Sequence, residues 1–160
     1  MQKITTCLWF DNQAEEAVNH YLSVFDAVFG GGSILDLQRY GASGPGPEGS
    51  VMVIRFEIAG QELLALNGGP AFTFSEAVSL SVDCATQEEV DELWARLTEG
   101  GEEGQCGWLK DKYGLSWQIV PRALPELLGG PDAEGAQRVI RALMDMKKID
   151  IRRLEAAYKG

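Results

Sequence analysis

The chain of 160 residues has one histidine, His20, three cysteines, and only 14 basic residues against 24 acidic ones. Each scarcity excludes a class of function. A formal net charge of −10 repels phosphate backbones and anionic lipid surfaces at long range, so neither nucleic acid nor a membrane is an expected partner. Cys7, Cys84 and Cys106 are odd in number and far apart, which argues against a disulfide framework or a CxxC metal knuckle. They read as small buried hydrophobes in a reducing compartment. No apolar run approaches the length of a membrane span, and the opening MQKITTCLWFD meets an aspartate before a signal-peptide core forms. The sequence therefore predicts a cytoplasmic protein.

What is present is ordinary for a globular chain: 45% hydrophobic residues, 24% charged residues and four tryptophans. A single domain spanning 1–160 would bury roughly 70% of its unfolded surface, enough for a core without staples. Residues 107–121, GWLKDKYGLSWQIVP, read as a β-hairpin whose second strand has two unlike faces. Leu115, Trp117 and Ile119 alternate with Ser116, Gln118 and Val120, so one face suits a core and the other suits the floor of a small-molecule cavity.

From the start, residues 4–10 form a β-branched and aromatic strand ending at Asp11, a candidate N-cap for a helix reaching about Phe25. Ala14, Ala17, Val18, Tyr21, Leu22 and Phe25 lie on one stripe of that helix. A strand over 33–39 precedes the glycine- and proline-rich loop 41–50, and strands 51–58 and 61–66 then meet about Ala59 and Gly60. This order, βαβββ, begins again with a strand at 77–83, a Thr86-x-x-Glu89 capping box and a helix to about Thr98. A weak strand near 102–106 and the hairpin complete it. The pattern divides the chain into a first module (1–70), a second module (71–121) and a helical extension (122–160) with aspartate caps at Asp132 and Asp150.

Tandem βαβββ modules resemble the vicinal oxygen chelate fold of glyoxalase I, extradiol dioxygenases and bleomycin-binding proteins. CLWFDNQAEEAVNHYLSVF, FEIAGQELLALNGGP, CGWLKDKYGLSWQIVP and RVIRALMDMKKIDIRRLEAA are similar to one branch, the PhnB-like or 3-demethylubiquinone 3-methyltransferase-like family. The resemblance implies an α+β fold. In metal-dependent relatives it implies four ligands on the inner strands, which align here with Thr5, Ala65, Ala77 and Gln118. Alanine has no donor atom, and a hydroxyl with a neutral amide does not replace imidazole and carboxylate. No metal and no cofactor are therefore expected. Nor does either glycine cluster sit between a strand and a helix, as a Rossmann-type methyltransferase requires.

Strand alternation assigns Thr5, Cys7, Trp9, Leu63, Ala65, Asn67, Ala77, Ser79, Ser81, Ser116, Gln118 and Val120 to an inner face, with large apolar residues opposite. From this set, Thr5, Cys7, Trp9, Asn67, Ser79 and Gln118 are the candidate ligand-binding residues. The same alternation also fits a half-solvated sheet face. His20 falls on a helix one turn after Glu16, a surface arrangement, and no histidine is placed to activate Cys7 as a nucleophile. The expected function is metal-free binding of a small organic molecule in the cup of a curved sheet, with loop 41–50 as a mobile cover. The alternative is an enzyme of the superfamily acting without the four-ligand site. The resemblance further implies a homodimer, for which Val139, Leu143 and Met144 form a candidate contact stripe.

Overall fold

The structure, a computed structural model, describes residues 2–160. Its elements are β1 (Thr6–Phe10), α1 (Ala14–Val28), β2 (Ser33–Arg39), β3 (Val51–Ile58), β4 (Gln61–Asn67), β5 (Ser79–Cys84), α2 (Gln87–Thr98), β6 (Glu102–Glu103), β7 (Trp108–Lys110), β8 (Ser116–Pro121), α3 (Ala123–Leu128), α4 (Ala133–Met144) and α5 (Ile151–Lys159). Two compact units divide between Phe74 and Ser75, each built on one four-stranded sheet. The strand orders are β1-β4-β3-β2 and β5-β8-β7-β6, with β1 parallel to β4 and β5 parallel to β8. The βαβββ pattern is thus used twice, and the fold is α+β.

In the first unit, α1 buries Ala14, Ala17, Val18, Tyr21, Val24 and Phe25 against β3 and β4. The helix begins later than the sequence suggests, because Asp11 does not cap it. Gln13 holds the cap position without a side-chain bond, and Asn67 Oδ1 at the end of β4 accepts instead from Ala14 N at 2.8 Å. Ala59 and Gly60 both take positive φ, 48° and 79°, the twist that a two-residue β3–β4 hairpin needs.

The face assignment of β4 is a correction. Leu63 and Ala65 pair with Phe56, Leu8 and Ile54 and are buried on the side of α1, Ala65 at 0% exposure. The other face of this sheet carries Cys7, Trp9, Val53, Arg55, Leu64 and Leu66. Ile4 and Val78, which alternation along 4–10 and 77–83 would put with the large apolar residues opposite the inner face, are exposed because β1 and β5 each start two residues later than expected.

Loop 41–50 is anchored at its two ends. Tyr40 and residues 49–50 exchange backbone hydrogen bonds of 2.8 Å, and Tyr40 Oη donates to Asn67 O at 2.5 Å. Gly44 and Gly46 lie so close to the Tyr40 ring that a Cβ on either would come within 2.6 Å of it.

In the second unit, α2 opens at the expected cap, Thr86 Oγ1 accepting from Glu89 N, but Glu89 Oε2 accepts from Ala85 N, one residue before the cap, in place of Thr86 N. Val90, Leu93, Trp94 and Leu97 are its buried residues, and it packs on β5, β7 and β8. Three helices, not two, follow β8, since ALPELL forms the short α3. They enclose Leu124, Val139, Met146, Ile149 and Leu154 and pack on Val120. Val139 is 0% exposed inside this cluster, so it is not part of an exposed contact stripe; Met144, at 64%, is on the surface.

Candidate functional site

The helix-free face of the first sheet is organised by Trp9. Its indole Nε1 donates to Gly69 O at 2.9 Å, and its ring meets Phe72 edge to face at 4.9 Å between centroids. Gly68 lies against the ring, where a Cβ would approach Cζ2 to 2.4 Å. The sequence Asn67-Gly68-Gly69 therefore does three jobs in a row. Asn67 caps α1 and donates to Val51 O at 3.1 Å, Gly68 leaves room for the indole, and Gly69 supplies the acceptor. Trp9 is left as a half-exposed wall beside Leu66, Val53, Leu64 and Cys7. Arg55 and Glu62 form an ion pair at 3.6 Å at the margin.

Of the candidates in this unit, Trp9 and Cys7 lie on that face and Thr5 precedes β1, half-buried, with its hydroxyl accepting from Gln2 Nε2 at 3.4 Å. Asn67 does not join them, because both ends of its amide are committed to backbone partners. Cys7 is exposed, not the buried hydrophobe expected of it, and only Cys84 is fully buried; partial desolvation still raises the Cys7 thiol above its ordinary pKa, which keeps it protonated and a weak nucleophile. His20 is on α1, which packs against the opposite face. Leu64 and Leu66 are a correction, since alternation assigns them to the helix-packed side and the pairing puts them beside Cys7 and Trp9; Phe72 was not singled out by the sequence. The only available signal for Phe72 was an aromatic residue directly after the turn 67–70.

In the second unit, Ser79, Ser81, Ser116, Gln118, Trp108 and Lys110 share the face opposite α2. Gln118 Nε2 donates to Ser79 Oγ at 3.0 Å, so these two predicted residues do meet. Trp108 and Lys110 enter through their pairing with Gln118 and Ser116.

The chelate positions do not fit a metal. Ala65 is buried on the α1 side, Ala77 lies in an exposed turn before β5, and the Gln118 amide is bonded to Ser79. Leu64 and Leu66, which take the helix-free places on β4, have no donor atom. Among the described residues no cluster of three His, Cys, Asp or Glu is arranged to hold an ion. No described helix is long and apolar enough to cross a membrane.

Residues 2–120 match the family described as 3-demethylubiquinone-9 3-methyltransferase. A PhnB protein of Bacillus cereus, titled with the same activity, is 40% identical, with a TM-score of 0.67 over 75% of this chain and 99% of that one. Protein PA1353 of Pseudomonas aeruginosa is 21% identical, with a TM-score of 0.61 over 76% and 98%. A glyoxalase/bleomycin resistance protein of Albidiferax ferrireducens T118 is a more distant neighbour, 13% identical with a TM-score of 0.49 over 76% and 99%. Among curated proteins no relative matches. The residues do not fit the nucleoside methyl donor that the family description suggests, at least in its Rossmann form. The β1–α1 connection is Asp11-Asn12-Gln13, without glycine, and each sheet has a single parallel pair. On its matched span and its likeness to the Bacillus cereus PhnB protein, the chain belongs to the PhnB-like family described as 3-demethylubiquinone-9 3-methyltransferase.

Proposed function

We propose that this glyoxalase-like protein binds a small organic molecule with an apolar, planar part, without a metal ion, on the helix-free face of its first sheet. The observation that carries the reading is the Trp9 wall: an indole fixed by Gly69 O and Phe72, bordered by Leu66, Val53 and Leu64. A ring that is already immobilised loses little rotamer freedom when a ligand stacks on it. Sites for small molecules combine such apolar walls with a few polar groups, here the Cys7 thiol and the Thr5 hydroxyl. No observation favours the enzymatic alternative, since the Cys7 thiol is held protonated and His20 lies on the helix that packs against the opposite face. We take the working assembly to be a cytoplasmic homodimer whose contact does not use Val139, which light scattering coupled to size exclusion tests directly.

The binding test is a thermal-shift screen of small neutral aromatics on chelator-treated protein, followed by titration into Trp9→Ala and Gly68→Ala. The first removes the wall and the second pushes it aside, so both should weaken every hit while leaving folding intact. Hits that bind both variants unchanged would place the site elsewhere. A transition metal retained at one per chain would contradict the metal-free part of the proposal.

A further inference from the structure

The second sheet contains a buried hydroxyl with nothing to bond. Ser116 is 1% exposed and its Oγ has no hydrogen-bond partner. A buried polar group in that condition carries a desolvation penalty, and native structures seldom leave one without a reason. Ser116 sits in β8 between two neighbours on the same face, Ser79 of β5 and Lys110 of β7. Ser79 Oγ accepts from Gln118, so its own proton remains to be given. The row thus presents two hydroxyl donors and an ammonium.

One acceptor now serves this row. The Glu76 carboxylate, from the exposed turn leading into β5, is ion-paired with Lys110 Nζ. Because β5 and β7 flank β8, a bond between Lys110 and the turn before β5 passes across β8 at the level of Ser116. Glu76 and Lys110 thus join the two margins of the strand that carries the orphaned hydroxyl. Lys110 already takes a carboxylate: its hydrogen bond holds the Glu76 carboxyl below the usual range, and Glu76 in turn holds the Lys110 ammonium above its own. Both side chains are well exposed, so the pair is weak and its opening costs little.

We infer that the row Ser79–Ser116–Lys110 is a subsite for the carboxylate of a small organic acid, with Glu76 as its internal occupant. An incoming carboxylate replaces Glu76 on Lys110 and accepts the Ser116 proton that Glu76 leaves unused. Exchange of one carboxylate for another leaves Lys110 with the same count of facing acids, Glu102 across the strand pair included. The inference goes beyond the reading above, since it names a chemical class and a site in the second unit that does not involve Trp9.

The test uses benzoate, with benzyl alcohol as its uncharged counterpart, titrated by calorimetry and by amide NMR. Benzoate should shift the amides of Ser79, Lys110 and Ser116, and benzyl alcohol should not. Glu76→Gln removes the competitor and should tighten benzoate severalfold. Lys110→Met should weaken it about tenfold or more, the size of one charge-assisted hydrogen bond. Ser116→Ala should weaken it by a smaller factor while the melting temperature stays level or rises, because an unsatisfied buried group is gone. A Glu76→Gln variant that fails to tighten benzoate, or benzoate that shifts none of these amides, overturns the inference. If neutral aromatics still move Trp9 in that case, the proposed function stands without this subsite.

Discussion

Asn67 shows how a residue can be chosen correctly as important and wrongly as to role. In a sequence it is a polar residue at the end of an apolar strand, which suits a cavity floor. In the fold it replaces the missing cap of α1 and holds β3 through Val51 O. Asn67→Ala should therefore cost about 2 kcal/mol in urea denaturation, a cap and a buried hydrogen bond together, with little effect on ligand affinity. Asn67→Asp, which keeps the cap acceptor and loses the donor, should recover part of that loss. Asp111 is a similar case. Its place in the 107–121 hairpin suggests a turn residue and no more, yet it is 2% exposed and accepts from Tyr113 N, Leu115 N and the Trp117 indole. The turn pattern was legible, but the indole partner six residues on was not. Asp91 supplies a pH test. A hydrogen bond from Gln87, together with the ion pair to Lys148, depresses its pKa. A depressed folded-state value means that its contribution to stability is full above the ordinary aspartate range and is lost as pH falls through the folded value. The melting temperature of Asp91→Asn should thus fall below that of wild type at neutral pH, and the gap should close below about pH 4.

At the scale of elements, helical stripes and turn residues located the long strands and both module helices, and the harder task was assigning strand faces by alternation. Alternation failed on β4. The run Leu63-Leu64-Ala65-Leu66 is apolar on both faces, so nothing in it marks which face meets α1; only its pairing with Leu8 and Ile54 does. The same ambiguity makes Ala65→Phe a core-breaking change and not a way to fill a cavity. Helix α3 was missed because it is six residues long and contains a proline. The extension behind it is tied to the second unit by a segment between α4 and α5. Cys106 N and Gly107 N donate to Met146 O and Lys147 O at 2.8 Å, and the Gln87 amide bonds both Ile149 O and Ile151 N. Ile149 is fully buried there, against a Gly107 at φ 86° that has no room for a side chain. Ile149→Ala should destabilise the second unit by about 3 kcal/mol. A calorimetric trace in which this variant melts like wild type would show that the extension is only loosely held.

For the whole molecule, two copies of one supersecondary unit were legible because the same strand, capped helix and hairpin recur in order. Function was less legible, since the positions aligned with the chelate of metal-dependent relatives hold two alanines, a hydroxyl and a neutral amide in place of imidazole and carboxylate, and a binding face announces itself through three-dimensional neighbours such as Phe72 and Gly68. The central claim is a metal-independent site at Trp9. The chain has four indoles, of which Trp94 and Trp117 donate to Glu103 and Asp111 in the second unit, where Trp108 also lies. Their Nε1–H signals can be followed separately by nitrogen–proton NMR while a neutral aromatic from the screen is added to chelator-treated protein. The account predicts a saturable shift of the Trp9 signal, the same with and without chelator, and little movement of the other three. A Trp9 signal that stays still while the ligand binds, or binding that appears only when a divalent metal is restored, would contradict it.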